Sequence, residues 1–553
     1  MKKLFLILFV VLAIYPQITS GQSTPLEKGL QAITLDAIKG QLQFLSSDWT
    51  EGRATGEKGA YLAGDYIESM FRVFGVSPAG DAGGFGGPGA FRMQRPQSGG
   101  PNRQPPQRTF FQNFTLIESL PGGTSSLTVK KGGREYRFEE GVDYTVSRGG
   151  SGGKFEAPMI FVGYGISDKA NGIDDFAGID TKGKIIVRLS GYPGVNDMAS
   201  PMYKKLVGDN PRAAYDIMRK KNDVLTSLGV AGIIDINMNN TDITKRWGVY
   251  KFDYYMSPAE NAPRTNWTSM RLDTKDVSTN PVSFAVTEKI VNLIMQDSGI
   301  DLAKYEKDAA AGTLKFKPVA ITGLSAAVEM VIKSRRINTR NIIAMIPGEN
   351  PDEYVAVGAH MDHLGMENGK IWNGADDNAS GTVAVMTLAK AFAASGIKPK
   401  RTIVFCAWTG EEKGLLGSEY YTLYPSAGKI SDYKFYMNFD MISRDEEGDS
   451  LRNKAGITYT KAYPKLEEIT KQAIQNYKLN LNLNIRSSEA PTGGSDFTAF
   501  TNNKIPVIAW MAAMHPDYHQ PSDQVNLTNW NKMLEIIRLG YLQLWEAANG
   551  EIK

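Results

Sequence analysis

The feature that most constrains the fold of this chain is a regular alternation of strand and helix patterns from about Ile337 onward. Helical patterns at 382–394 and 464–477 are interleaved with short apolar runs of strand length, which lie at 341–346, 354–359, 402–407, 433–439 and 505–511. Strands that are apolar throughout are buried on both faces, and the helices between them connect parallel neighbours. The pattern therefore predicts an α/β fold with a mostly parallel central sheet that is flanked by helices.

A second region, residues 119–283, has a different pattern. Short apolar runs at 159–162 and 185–187 are bounded by glycine and aspartate, which is typical of strands, and the region contains no histidine. The chain of 553 residues is also longer than a single domain usually is. We therefore expect a β-rich domain at 119–283, inserted into a larger domain that is formed by residues 22–118 and 284–553.

Residues 79–108 form a segment of unusual composition within the larger domain. They contain eight glycines and five prolines, and no leucine, isoleucine or valine. A segment of this composition cannot bury enough apolar surface to form a core. We expect a surface loop there.

The first 21 residues are typical of a signal peptide. Lys2 and Lys3 precede an apolar run at 4–15, which is followed by small polar residues. The run is shorter than the roughly 20 residues that span a bilayer, so a membrane anchor is the less favoured interpretation. The sequence thus predicts a secreted or periplasmic protein with no stable membrane association.

Composition argues against several classes of function. The 62 basic and 59 acidic residues give a net charge of +3, which does not favour nucleic-acid binding. The one cysteine, Cys406, excludes an intramolecular disulfide framework and a cysteine-rich metal site. Any chemistry must therefore depend on other side chains.

Polar side chains that could do chemistry follow the ends of the predicted strands. His360 and His363 follow one strand, and His515 and His519 follow another. The carboxylates near strand ends, or near the start of the next helix, are those of Asp362, Asp376, Asp377, Glu411, Glu412 and Asp440. Ligands bind at the carboxyl ends of strands in open α/β sheets, so we expect these groups to converge in one cleft.

Each of these groups also has an ordinary structural explanation. An Asp-Asp-Asn sequence before a helix is common at an N-cap, and adjacent glutamates after a strand are common on surfaces. The joint pattern nevertheless favours a functional site, because all four histidines lie beside these carboxylates.

Histidine and carboxylate side chains without cysteine favour a borderline-soft cation such as zinc. Two histidines and three carboxylates suffice for two cations if one carboxylate bridges them. Cations about 3.5–4 Å apart can hold a water molecule and polarise a carbonyl together. A further carboxylate must accept the proton of that water. Glu411 and Glu412 can supply both a ligand and a base, because adjacent side chains point in different directions.

Five segments of the sequence match a known family, in the family's order. They are 357–365 (VGAHMDHLG), 373–381 (NGADDNASG), 408–412 (WTGEE), 438–441 (NFDM) and 518–523 (YHQPSD). On these segments the chain resembles the co-catalytic dizinc exopeptidases related to vibrio leucyl aminopeptidase and glutamate carboxypeptidase. The resemblance extends to 45–48 (LSSD) and 51–53 (EGR), a typical start of the catalytic domain. Residues 161–166 and 180–184 resemble the protease-associated (PA) domain that many members carry as an insertion.

The resemblance implies the zinc exopeptidase fold and two Zn²⁺ ions per chain. Asp377 corresponds to the ligand that bridges the two ions. His360 and Asp440 would complete one zinc site, and Glu412 and His519 would complete the other.

The resemblance also implies roles for residues that do not bind zinc. Glu411 matches the general base. Asp362 matches the carboxylate that orients His360, a contact that fixes the imidazole tautomer. His363 and His515 would contact substrate or line the cleft.

The function that the resemblance implies is that of a secreted, zinc-dependent aminopeptidase. Its substrates would be peptides, attacked by a water molecule between the two ions with Glu411 as the base. Many relatives have Ser-Asp-His at 495–497, where this chain has Ser-Asp-Phe. We therefore expect the pocket wall and the specificity to differ from theirs, with the ligand set intact.

Three alternatives remain open at this point. A glutaminyl cyclase of the same fold would use one zinc ion, and the PA insertion argues against it. A carboxypeptidase of the same family would cleave from the other end of the peptide. A non-catalytic homologue such as transferrin receptor would have lost metal ligands, whereas every expected ligand is present in this sequence.

Overall fold

The computed structural model describes residues 23–552 apart from 83–106, 124, 141, 147–151, 209–210, 238–268, 276–280, 297, 316 and 492. The predicted signal peptide at 1–21 and most of the glycine- and proline-rich segment 79–108 lie outside the described residues. Within the described part of the chain, no helix is both long enough and apolar enough to cross a membrane.

Helices and strands are distributed along the whole described chain. The helices are α1 (Pro25–Ala32), α2 (Leu35–Leu45), α3 (Lys58–Phe74), α4 (Pro201–Leu206), α5 (Pro211–Ser227), α6 (Glu288–Met295), α7 (Leu302–Ala311), α8 (Gly381–Ser395), α9 (Leu416–Leu423), α10 (Lys465–Tyr477), α11 (Phe497–Asn502) and α12 (Trp530–Asn549). The strands are β1 (Ser77–Pro78), β2 (Phe111–Pro121), β3 (Ser126–Lys131), β4 (Arg134–Phe138), β5 (Tyr144–Val146), β6 (Gly153–Phe161), β7 (Ser167–Asp168), β8 (Ile173–Asp174), β9 (Ile185–Leu189), β10 (Gly232–Ile236), β11 (Ser269–Leu272), β12 (Val282–Val286), β13 (Val319–Met330), β14 (Ile332–Ile346), β15 (Asn350–His360), β16 (Gly365–Glu367), β17 (Lys370–Trp372), β18 (Arg401–Trp408), β19 (Tyr433–Phe439), β20 (Lys454–Thr460), β21 (Asn482–Ser488) and β22 (Val507–Met511).

The larger of two main sheets has the strand order β11-β2-β14-β18-β15-β19-β22-β20-β21, with β1 paired to β14. Its centre, β18-β15-β19-β22, is parallel, and so is the pair β20-β21. The other pairs of this sheet are antiparallel. The predicted α/β class is therefore confirmed, although the parallel arrangement is limited to the centre and one edge of the sheet.

This central sheet is buried on both faces, as the apolar runs predict. Along β18, Ile403 and Phe405 face a core cluster that includes side chains of α3, α8 and α12. Val404 and Cys406 face the opposite cluster, which includes side chains of α9 and α11. Successive residues of a strand point to opposite faces, so a strand that is covered on both sides must be apolar at every position.

Helix α3 illustrates how local sequence determines an element of this layer. Its apolar residues Ala63, Ile67 and Phe71 lie one above the other on one face and are fully buried. The helix ends at Gly75, whose φ of 76° closes the last turn in the left-handed conformation that glycine adopts without strain.

The second main sheet has the order β4-β3-β13-β6-β9-β10-β12-β5 and its own apolar core. Most of its strands lie within 119–283, the predicted β-rich region, and residue 283 falls within β12. The sheet extends to Met330, because β13 pairs with both β3 and β6. Conversely, one strand within 119–283 belongs to the larger sheet, because β11 pairs with β2.

Candidate metal centre

The parallel strands of the central sheet bring the predicted site residues to one edge. β15 ends at His360, which is in register with Trp408 at the end of β18. β19 ends at Phe439, which is in register with Trp510 of β22. Residues that follow these positions therefore lie side by side at the carboxyl edge of the sheet.

Asp377 lies at the centre of the cluster. It belongs to the segment Ala375–Ser380, which leads into α8. Its Oδ1 lies 3.3 Å from His360 Nε2, and its Oδ2 lies 3.0 Å from His519 Nε2. One carboxylate thus stands between two imidazoles, as a ligand that bridges two cations would.

Two further carboxylates complete a group on each side of Asp377. Asp440 Oδ1 lies 3.4 Å from His360 Nε2, and Glu412 Oε2 lies 3.3 Å from His519 Nε2. The five side chains have exposed fractions between 1% and 9%. The structure therefore brings all five predicted metal ligands together, in two buried groups that share Asp377.

The donor set fits a metal of the zinc type. The ligand atoms of His360, Asp377 and Glu412 lie within 4.8 Å of one another, and so do those of His360, Glu411 and Asp440. Burial raises the pKa of Glu411 well above its usual range; the positive charge of His360 lowers this pKa, and the negative charges of Glu412 and Asp440 raise it further. Burial likewise raises the pKa of Asp440. Buried carboxylates are costly unless they are paired or bind a cation, and imidazole with carboxylate is a preferred zinc donor set.

Glu411 and Asp362 are linked through the main chain. Glu411 Oε2 lies 3.8 Å from His360 Nε2, and the main-chain N–H of Glu411 donates to Asp362 Oδ1 at 3.2 Å. The Thr55 hydroxyl donates to the other oxygen, Asp362 Oδ2, at 2.7 Å. The predicted contact between this carboxylate and His360 is longer, at 3.9 Å. His360 Nδ1 instead lies 3.0 Å from the main-chain oxygen of Asp362, which orients the ring.

The sequence from β14 to α12 matches a known family as a unit. Residues 341–541 match the family model of peptidase family M28. The chain carries a peptidase M28 domain. All five predicted metal ligands, and Glu411, lie within this domain.

Curated relatives resemble the chain over the M28 domain. The chain is 30% identical to probable leucine aminopeptidase 2 of Aspergillus oryzae (strain ATCC 42149 / RIB 40), over 33% of this chain and 36% of that protein. It is 29% identical to leupeptin-inactivating enzyme 1 of Streptomyces exfoliatus, over 38% of this chain and 41% of that protein. The chain thus matches less than half of the length of these relatives.

A solved structure extends the similarity of fold beyond the M28 domain. The fold is similar to that of the aminopeptidase from Aneurinibacillus sp. strain AM-1, with a TM-score of 0.55 over 96% of this chain and 97% of that chain. The two sequences are 18% identical over this alignment, so the similarity shows the fold alone.

The two remaining histidines of the M28 domain are buried behind the ligands. His363 is fully buried, and its Nδ1 lies 2.8 Å from Glu412 Oε1. His515 is 5% exposed, and its Nε2 lies 3.1 Å from Asp376 Oδ2. We predicted that these histidines contact substrate or line the cleft. The structure places His363 against Glu412, a predicted ligand, and His515 against Asp376, the neighbour of Asp377.

Two residues of the M28 domain that were assigned no role from the sequence contact the cluster. Asp523, the last residue of the 518–523 segment, accepts the main-chain N–H groups of Asp376 and Asp377. Ser495 donates from its Oγ to Asp440 Oδ2 at 2.6 Å, which leaves Oδ1 facing His360. Asp523 lies in a segment that carries the resemblance, which was its only sequence signal, whereas Ser495 lies at 495–497, where this chain departs from many relatives.

Proposed function

We propose that this protein is a zinc-dependent aminopeptidase that removes N-terminal residues from peptides and binds two Zn²⁺ ions per chain. The observation that carries the proposal is the position of the Asp377 carboxylate between His360 and His519, each of which faces a second carboxylate. The similarity of the M28 domain to proteins named leucine aminopeptidase supports the substrate class.

In this proposal the five buried ligands form two sites. His360, Asp377 and Asp440 would hold one ion, and Asp377, Glu412 and His519 would hold the other. Bound zinc would lower the pKa of a water molecule and polarise the scissile carbonyl. The contact between His360 Nδ1 and the main-chain oxygen of Asp362 places the ring proton on Nδ1 and leaves Nε2 free to ligate.

Glu411 is the residue that we assign as the general base. Burial and neighbouring carboxylates raise its pKa, which suits a group that takes a proton from the attacking water and returns it to the leaving amine. Asp362 positions Glu411 by accepting its main-chain N–H, and Thr55 fixes Asp362 in turn. The base is thus tied to the same loop that orients His360.

Hydrolysis of aminoacyl arylamides, measured together with metal content, tests the proposal. We expect two zinc ions per chain by elemental analysis, and hydrolysis of a leucine arylamide that is lost on chelation and restored by zinc. Pyroglutamate formed from a glutamine arylamide, with the leucine arylamide intact, would support the cyclase instead. Cleavage of an N-terminally blocked peptide from its C-terminus would support the carboxypeptidase, and a protein that neither binds zinc nor cleaves these substrates would support the receptor-like alternative.

We also propose that the protein is exported and that residues 1–21 are removed. The basic and apolar pattern of this segment supports the proposal. Sequencing of the N-terminus of the protein recovered outside the cytoplasm tests it. We expect the mature chain to begin near Gln22; a chain that begins at Met1 would refute cleavage.

A further inference from the structure

Arg53 is a completely buried arginine that contacts the metal-ligand loops through their main chain. Its Nε donates to the main-chain oxygen of Met361 at 2.8 Å. Its Nη1 donates to the oxygens of Asn373, at 2.7 Å, and of Leu45, and its Nη2 donates to that of Gly374 at 2.8 Å. One guanidinium thus joins the end of α2, the residue after the ligand His360, and the segment that leads to Asp377.

An unusual turn at residues 51–53 places Arg53 in this position. Glu51, Gly52 and Arg53 have consecutive φ angles of 48°, 65° and 52°, in the left-handed region. A Cβ on Gly52 would lie 2.3 Å from the main-chain oxygen of Gly365 and 2.5 Å from that of Trp372, so only glycine fits. Left-handed residues other than glycine cost free energy and persist where the surroundings hold them, often at functional sites.

The main chain of Arg53 adds a second connection to the ligand loop. Its carbonyl oxygen accepts the N–H of His363 at 3.1 Å. His363 in turn contacts the ligand Glu412. The residue therefore holds the 360–363 loop from both its side chain and its backbone.

Arg53 contributes a positive charge near the cluster in addition to its hydrogen bonds. Among the described residues, no carboxylate forms an ion pair with it. Burial lowers its pKa to about 10, and the charges of Asp377, Asp523 and nearby carboxylates oppose this effect. The guanidinium therefore remains charged at neutral pH and offsets part of the negative charge of the buried ligands. A buried charge without a partner would otherwise be strongly unfavourable.

We propose that Arg53 is a positioning residue for the metal centre. Its planar fork sets the distance between the segment that carries His360 and the segment that carries Asp377, so that both can face one cation. A lysine would keep the charge but could not reach carbonyls on three sides at once. This inference rests on the proposed function, because it assumes that the cluster binds zinc.

Arg53→Lys and Arg401→Lys form a matched pair that tests the proposal. Arg401 lies at the amino end of β18, away from the ligands, and its Nη1 also donates to main-chain oxygens, those of Ala547 at 2.9 Å and Gly550 at 2.7 Å. Zinc per chain is measured after dialysis against graded concentrations of chelator, and the thermal midpoint of the metal-free protein is measured in parallel. We expect Arg53→Lys to lose zinc at a free chelator concentration about 10–100-fold lower than wild type, and Arg401→Lys to retain zinc as wild type does.

Separate results would overturn this inference and the proposed function. If the role of Arg53 were purely structural, Arg53→Lys and Arg401→Lys would both have a lower thermal midpoint, and both would retain zinc as wild type does. That result would overturn the inference. Arg53→Met removes both the positive charge and the guanidinium hydrogen bonds, so it should retain zinc less well than Arg53→Lys. If Arg53→Met does not fold, zinc retention by Arg53→Lys alone tests the inference. A wild-type protein that binds two zinc ions but cleaves no peptide would overturn the proposed function and leave the comparison of Arg53 variants valid.

Discussion

His363 Nδ1 lies 2.8 Å from Glu412 Oε1, on a carboxylate whose other oxygen faces His519. His363 is fully buried, and its ring centroid lies 5.7 Å from that of His519. A hydrogen bond to one oxygen of a ligating carboxylate fixes the direction of the other. His363, three residues after His360, thus contacts a carboxylate of the group that we propose as the second zinc site.

Replacement of His363 by alanine should weaken zinc binding at the group formed by Asp377, Glu412 and His519. Loss of such an outer partner typically lowers metal affinity about 10–100-fold. Titration of zinc content against a chelator measures the change. His363→Asn is the matched variant, because an asparagine amide can place a donor near the position of Nδ1 and should restore part of the affinity. Equal zinc retention in His363→Ala and wild type would contradict the supporting role.

Glu411 and Glu412 are adjacent, but their replacement by glutamine should have different effects on zinc content and kcat. Glu411→Gln should retain zinc and lose about 10²–10⁴-fold in kcat, because it removes the proton acceptor without removing a ligand. Glu412→Gln should lose zinc, because it weakens a ligand. Kinetics on a leucine arylamide and elemental analysis of the same samples separate the two effects.

A control for these variants is Glu118→Gln, which changes another buried glutamate. Glu118 has a side chain that is 5% exposed and pairs with Arg335 on the central sheet, outside the cluster. The kcat of Glu118→Gln should stay near that of wild type, although the variant can be less stable. Near-normal turnover in Glu411→Gln would rule out its assignment as the base.

The convergence of the predicted metal ligands could be anticipated from the sequence because most of them lie near strand ends. His360 ends β15, Asp440 directly follows β19, and Glu412 lies in the segment that follows β18. Neighbouring parallel strands end at the same edge of a sheet. The supporting contacts could not be predicted in this way. Arg53 reaches Met361 and Gly374 across more than 300 residues of sequence, and no periodicity reports such a contact.

The extent of the second sheet could not be predicted from the sequence for a similar reason. The partners of β13, which are β3 and β6, lie far earlier in the chain. Only the completed sheet shows that residues up to Met330 belong to it. The sequence pattern therefore predicts elements and their ends more reliably than it predicts which sheet a strand joins.

Gly52 and Gly75 provide a test of the turn that positions Arg53. Both have positive φ angles, 65° and 76°. A Cβ on Gly75 would meet nothing within 4 Å, whereas one on Gly52 would collide with two carbonyl oxygens. Gly75→Ala should cost about 1–2 kcal/mol, the usual cost of a left-handed alanine. Gly52→Ala should cost clearly more, in denaturant unfolding of the metal-free protein. Similar costs would show that the contacts of Gly52 can relax.

Asp175 in the second domain should make stability depend on pH. Asp175 is 9% exposed and accepts the main-chain N–H of Ile166 at 2.9 Å. Burial raises its pKa from its ordinary value of 3.8 to about 6, and backbone N–H groups and Lys221 oppose this change. A raised carboxyl pKa means that the folded state binds more protons than the unfolded state between these two values. The contribution of Asp175 to the free energy of unfolding therefore falls as pH rises from about 4 to 6.

The size of this effect follows from the shift, and Asp175→Asn isolates it. The rise of this pKa from 3.8 to about 6 corresponds to roughly 3 kcal/mol in the free energy of unfolding. Asparagine keeps the acceptor for Ile166 and cannot ionise, so the variant should lose less stability than wild type between pH 4 and pH 7, by up to that amount. Asp174→Asn, on the exposed neighbour, should follow the wild-type profile. If the free energy of unfolding of Asp175→Asn and of wild type changed with pH in the same way across this range, Asp175 would be hydrated in the folded protein. Burial would then not raise its pKa.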